Sequence, residues 1–329
     1  MTDRGPGPGE DRLEALSAEQ IAVFDEAEGI AVEPLTQWRL FWTRFRRHRL
    51  AMIAAIVLAV IVGSALFADF LPIHDPYEDF ADSTGRILSN VAPSAEHPLG
   101  TDTLGRDVLA RVVYGGRTSL KVAFITGLIV AGMGTVVGAV AGYYGGAVDN
   151  ALMRFTDLIL SLPLLPVAIV AARIIPELPV FQGDAALSLA VLLGVLLWGS
   201  LARIVRAEFL SLREKEFVEA ARASGANDRR IIFRHILPNA MSPIIVQSTL
   251  IVGTAIILEA ALSFLGFGVR PPTPAWGAMA ADGGRLAPQG IWWLVTFPAV
   301  ALIATVLSVN FLGDGLRDAL DPTQTIERR

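Results

Sequence analysis

The sequence predicts an all-α polytopic membrane protein with six transmembrane helices, and three observations carry that prediction. Hydrophobic residues make up 53% of the 329 residues and charged residues 18%, with a mean hydropathy of +0.52, far from the balance of a soluble domain. Uncharged runs recur that are long enough to cross a bilayer core of ~30 Å at ~1.5 Å per residue. Basic residues collect beside those runs in the way that sets membrane orientation, so the net charge of −5 matters less than where the charges lie. The chain has no cysteine, which excludes disulfides, thiolate metal sites and cysteine nucleophiles. Its four histidines, His48, His74, His97 and His235, are scattered without ligand spacing, and no metal site is expected.

Taken in order, residues 1–37 are rich in Gly, Pro and acidic residues and read as a mobile cytoplasmic tail with room for one surface helix near Ile21, Val23 and Phe24. Trp38 to Arg49 holds five arginines and no acid, with Trp38 and Trp42 interleaved: a cytoplasmic flank with interfacial aromatics. The first span is Leu50 to Ala68. It starts too far into the chain for a secretory signal and lacks a small-x-small cleavage site. Asp69 to about Lys121 then lies outside, so that residues 38–120 hold one span and an extracytoplasmic segment with Pro72, Pro76, Pro93 and Pro98. Gly100-Thr101-Asp102 and Gly105-Arg106-Asp107 suggest turns and an N-capped helix; no lysine follows the glycines, which excludes a phosphate loop. Arg111, Arg117 and Lys121 on this side run against the charge rule unless acids such as Asp102 and Asp107 pair with them.

Residues 121–329 read as a core of five further helices. Val122 to Val148 carries Gly134, Gly138 and Gly142 on one face, where a neighbouring helix can pack closely. Asp149 and Asn150 form a short inner loop. Leu152 to Ile175 is the third span, kinked by Pro163 and Pro166, with Asp157 near its cytoplasmic end as either a path-lining or a paired residue. The fourth span is Ala185 to Ala202 and the fifth Met241 to Leu265. On the fifth, Ser248, Val252, Ala255, Glu259 and Ser263 share one stripe. Glu259 and the serines are thus candidates for the translocation path or for structural hydrogen bonds, with water close to the outer end. Leu262 to Gly277 reads as a rigid outer loop, and Ile291 to Leu312 as the sixth span with Trp292 and Trp293 at the outer interface. Six spans leave both termini, and the loop 208–239, in the cytoplasm.

That loop, EFLSLREKEFVEAARASGANDRRIIFRHILPN, is the one long charged insert among apolar runs. Leu212 to Ser224 has good helix formers, with Lys215 and Glu219 at i,i+4, and Gly225 is placed to end the helix. Asn227 or Asp228 can cap a second helix carrying Ile231, Ile232, Phe233 and Ile236 that stops before Pro238. Small Ala220, Ala221 and Ala223 beside the directed charge of Glu219 suit a docking surface. The arginines at 229, 230 and 234 are no recognition helix for nucleic acid, because both ends of the loop are tethered to spans. The chain has no GxxxxGK[ST], GxSxG or HExxH, so it carries no ATPase or hydrolase chemistry of its own.

Glu219-Ala220-Ala221, then Gly225, then Leu237-Pro238 resembles the coupling motif of ABC importer permeases, with His235 where that motif has an isoleucine. HPLGTDTLGRD (97–107), LSFLGFGVRPPTPAWG (262–277) and LGDGLRDALDP (312–322) are similar to the dipeptide and oligopeptide branch, C-type subunit. The resemblance implies a type I, MetI-like permease core in the bacterial cell membrane. It further implies a heterodimer with a second, homologous permease, two cytoplasmic ATPases that use ATP and Mg²⁺, and an external binding protein delivering short peptides. No cofactor or metal is expected on this chain itself. Glutathione and nickel-chelate importers belong to the same branch and stay open as substrates, and an ATP-independent secondary transporter is the alternative from outside it. Glu219, Ala220, Ala221, Gly225, Leu237 and Pro238 are the expected coupling residues.

Overall fold

The computed structural model describes residues 37–181 and 183–320; the expected tail before Gln37 and the end of the last motif fall outside the described residues. Among them the chain is helical, and the only β pairing is two isolated bridges, Ala81 with Ile87 and Thr101 with Asp107. Residues 37–43 open helix α1 (Gln37–Arg47), and residues from Arg44 onward build the bundle. His48 interrupts the chain there, its Nδ1 accepting the Ala51 N–H at 3.0 Å to cap α2 (Arg49–Leu66).

The remaining long helices are α3 (Val108–Tyr144), α6 (Ala185–Leu212), α8 (Asp228–Phe264) and α10 (Trp293–Leu320). With α2, these five are long and apolar enough to cross a membrane. The expected third span is instead two helices, α4 (Gly146–Ser161) and α5 (Leu164–Ile174), and the apolar stretch they begin is bent by 88°. Pro163, the N-cap of α5, accounts for a break where a kink was expected: it has no N–H, and Leu162 before it is held extended at ψ 136°. The structure also starts α3 fourteen residues before the expected second span, because Asp107 caps it by accepting the Ala110 N–H at 2.8 Å. Between the expected outer loop, which ends at Gly277, and the sixth span lies a further helix, α9 (Trp276–Leu286), which sequence reading missed.

The main seam of the bundle is α3 against α6. A Cβ added at Gly134 would meet Leu201, at Gly138 the Ala202 carbonyl oxygen at 2.4 Å, and at Gly142 the Phe209 Cβ at 2.6 Å. The glycine stripe thus packs helix on backbone as its spacing predicts. α8 lies against both α3 and α10, and α10 against α2, where Gly315 leaves room for Ala51.

Candidate functional site

The 208–239 loop sits at the end of the bundle where α3 finishes. Its first helix, α7 (Glu216–Ala223), is shorter than expected: Leu212 completes α6, and extended Lys215 is the α7 N-cap. α7 has one anchored face. Val218 is 0% exposed and Ala221 packs with it in a cluster holding Tyr143, Val205, Phe209 and Ile231, whereas Glu219 and Ala220 face outward. Gly225 ends α7 at φ +78°, with its N–H on the Arg222 carbonyl at 2.9 Å and the Ala226 N–H on that of Ala221 at 3.0 Å, the paired bonds of a Schellman motif. Nothing lies within 4 Å of a Cβ built on Gly225, so its place is set by backbone conformation and not by crowding.

Asn227 caps the next helix, its side chain accepting the Arg230 N–H at 2.9 Å. This helix does not stop before Pro238 as expected. Ile231–Ile236 form a π-helical turn, the Leu237 N–H reaches back five residues to Ile232, and the chain runs on as α8 to Phe264. Widening the turn changes the hydrogen-bond register just where proline cannot donate, so the helix passes Pro238 unbroken. Leu237 packs on the cluster and Pro238 is exposed.

Polar links from Tyr143 and Arg213 brace the loop, and one more fixes α6 just before it. The Tyr143 hydroxyl donates to Asp228 Oδ1 at 2.6 Å, and the Arg222 guanidinium stands 5.9 Å from the centroid of the same ring. Arg213 donates to the Gly142 and Tyr143 carbonyls, each at 3.3 Å. Arg206 grips Asp149 with two nitrogens, one bond at 2.6 Å. What results is a short helix with one face fixed and an open face of Glu219, Ala220 and the Gly225 turn.

The four residues expected on a path do not form one group. Asp157, on α4, is half exposed and pairs with Arg203 of α6. Ser248 Oγ is buried without a hydrogen-bond partner. Glu259, expected near water, is 0% exposed in this chain: it accepts from Ser119 Oγ at 3.0 Å and from Ser263 Oγ at 2.8 Å. Cavities of about 580 and 630 Å³ open elsewhere, the first beside Arg173, Glu177 and Arg270, the second between α2, α3 and α8, and none of the four lines either. Sequence reading missed Ser119, which also accepts the Trp276 N–H at 3.4 Å. Its signal was the small-residue face of α3, which extends beyond the three glycines through Thr126 to Ser119 and Gly115, all buried.

At the opposite end, the basic residues find acids, though not always the expected ones. Arg111 pairs with Asp102 at 3.4 Å, Arg117 with Asp69 at 2.7 Å and Lys121 with Asp184 at 2.5 Å. Hydrogen bonds from Arg117 and the Tyr114 hydroxyl hold the Asp69 carboxyl below its ordinary pKa. Burial works to raise that of Asp184, and the Lys121 ammonium with the Leu187 N–H outweighs it, so it too is lowered. Among the described residues Asp107 pairs with no arginine. Two histidines that the sequence leaves far apart, His74 and His97, stand beside it.

Among the described residues, five helices long and apolar enough to cross a membrane and one bent apolar pair define a multi-pass helical membrane protein. Residues 134–326 match the family described as binding-protein-dependent transport system inner membrane component, and residues 36–93 match the N-terminal TM domain of oligopeptide transport permease C. A dipeptide transport system permease protein of Alkalihalophilus pseudofirmus is 41% identical over 90% of this chain and 92% of its own length. That of Bacillus subtilis is 39% identical over 90% and 89%, and a glutathione transport system permease protein of Pectobacterium atrosepticum 39% over 87% and 91%. Among solved structures, the MetNI methionine ABC transporter in an inward-facing conformation aligns with a TM-score of 0.51 at 20% identity, covering 65% of this chain and 98% of that one, a likeness of fold alone. The chain belongs to the family of inner membrane components of binding-protein-dependent transport systems.

Proposed function

We propose that this chain is one half of the translocation path of an ATP-driven importer of short peptides, and that the 208–239 loop receives the force of ATP hydrolysis from a cytoplasmic ATPase. The observation that carries the reading is the two-faced loop. Val218, Ile231 and Ile236 lock it to the bundle, while Glu219, Ala220 and the open turn at Gly225 are free to touch a partner. Ala221 stands at the edge of that surface, and Leu237 and Pro238 join it to α8, so a push on α7 is carried into a helix running to Phe264. With no P-loop in the chain, ATP and Mg²⁺ belong to two ATPase subunits. A second homologous permease completes the path, and an external binding protein delivers substrate.

In this reading both termini and the loop are cytoplasmic and residues 67–107 face outward, in a bacterial cell membrane. Asp157 and Glu259 act as braces through Arg203, Ser119 and Ser263, and Ser248 stays a candidate for the path. Peptide is the substrate class favoured by the dipeptide and glutathione permeases that the chain resembles. The test is uptake of a labelled dipeptide, a labelled longer peptide, glutathione and radioactive nickel in cells lacking the chain and in complemented cells. Loss and recovery of peptide uptake supports the assignment. Loss confined to nickel would move the substrate to a metal chelate, and loss of none with the complex assembled would refute the peptide assignment and turn the search for the ligand to the binding protein.

A further inference from the structure

We infer that His74, His97 and Asp107 form a binding site for one divalent transition-metal ion, which clasps the 67–107 segment onto the head of α3. The three come from separate stretches, and one donor atom of each lies within 4.8 Å of the others. Both imidazoles turn Nδ1 toward the same atom, Asp107 Oδ2: His97 at 2.9 Å and His74 at 3.4 Å. Bonds of ~2.0–2.1 Å to a tetrahedral zinc ion place neighbouring donor atoms about 3.3 Å apart, and both separations from Asp107 Oδ2 lie within about half an ångström of that value.

Each donor is already held in place. Asp107 Oδ1 is occupied by the Ala110 N–H, which leaves Oδ2 to face the imidazoles. The Phe80 ring stands edge-on to both, with centroids 4.7 Å from His74 and 4.9 Å from His97, and the His97 backbone N–H is fixed on Ser94 Oγ at 3.1 Å.

The surroundings favour a cation. Asp107 is 1% exposed, and among the described residues its ion-pairing partners are these two imidazoles alone, with no arginine or lysine. A buried carboxylate without a fixed positive partner is costly, and a bound dication supplies that charge. His97 is 2% exposed, and with Nδ1 turned to Asp107 its other ring nitrogen, Nε2, would carry the proton when Nδ1 serves as a ligand. The His74 side chain is 39% exposed, which gives an ion a way in and leaves coordination positions for water. Two imidazoles and a carboxylate suit zinc, nickel or iron(II), and zinc is the first expectation because it accepts this donor set with water in a fourth position.

The test uses the assembled complex in detergent, carrying a tag without histidine. It is stripped with chelator and then dialysed against one equivalent of Zn²⁺ or Co²⁺. The wild type is expected to retain one more metal ion per chain than His74→Ala, to show Co²⁺ d–d absorption that the variant lacks, and to gain a chelator-reversible rise in Tm. His74 is at the surface, so its variant keeps the Tm of the stripped wild type. Asp107→Asn preserves the cap acceptor and is expected to weaken metal retention at least about 10-fold. Equal metal content in wild type and both variants, or no Co²⁺ spectrum and no Tm response in the wild type, would overturn the site and leave a hydrogen-bonded clasp.

Discussion

Tyr143, one residue from the end of α3, donates its hydroxyl to Asp228 on the first turn of α8 at 2.6 Å, a side-chain bond between the packed bundle and the loop offered to a partner. Its removal separates bracing from folding. Tyr143→Phe keeps the ring in the cluster with Val218 and Ile231 and forfeits about 1 kcal/mol of hydrogen bonding. The expected result is faster hydrogen–deuterium exchange across 226–236 with the remaining helices unchanged, and peptide uptake lowered a few-fold at normal complex yield. Unchanged exchange in that window would show that apolar packing alone holds the loop.

The Gly225 turn gives a paired test. Gly225→Ala meets no atom within 4 Å and bears only the left-handed backbone, about 1–2 kcal/mol. Gly225→Pro cannot reach φ +78° and also loses the N–H bond to Arg222. Alanine is expected to leave most transport intact, and proline to abolish transport while the chain still inserts and assembles. Normal uptake by an assembled proline variant would end the lever reading.

Glu219→Lys touches the outward face alone. Since Glu219 is exposed, thermal stability should stay within about 0.5 kcal/mol of wild type. Recovery of the ATPase subunits in a pull-down of the permease should fall. Undiminished recovery would mean that the partner does not contact this carboxylate.

How much of this was legible in advance depended on how local the cause was. The Gly134, Gly138 and Gly142 stripe, the Asn227 cap and the Gly225 stop were all readable, because each rests on spacing or backbone conformation within one or two turns. Pro238 misled for a related reason: a local rule ends the helix, and the π-helical turn that rescues it shows in no residue type. Pro163 produced a full break where a gentler kink was expected, since proline marks the position of a bend but not its size. What distant packing creates was hidden. Ser119 and Glu259 are far apart in the chain, and His74, His97 and Asp107 meet only when the 67–107 segment folds back on α3. Scattered histidines argue against a metal motif, and they say nothing about a site assembled by a loop.

The α3–α6 seam allows a stability test with an internal control. A Cβ at Gly138 would lie 2.4 Å from the Ala202 carbonyl oxygen and 2.7 Å from Val205 Cβ, whereas one at Gly132 on the same helix meets nothing within 4 Å. Gly138→Ala is expected to cost about 1–3 kcal/mol by overpacking and to lower the Tm in detergent. Gly132→Ala should be neutral or slightly stabilising, because alanine is the better helix former by about 1 kcal/mol. Equal Tm values would mean that the two helices pack less closely than the glycine contacts require.

Glu259 offers the last test, since its two carboxylate oxygens bridge α3 and α8 through Ser119 and Ser263. Glu259→Ala leaves both hydroxyls buried without that acceptor, and each orphaned group costs about 1–3 kcal/mol. Glu259→Gln keeps one acceptor oxygen and nearly the same volume, and turns the other position into a donor that the hydroxyls meet by rotating. A brace predicts that alanine lowers the Tm markedly while glutamine restores most of both Tm and uptake. A carboxylate whose charge served the path would give the opposite split, with glutamine stable and transport lost. Measuring Tm and uptake on the same two preparations therefore decides between brace and path.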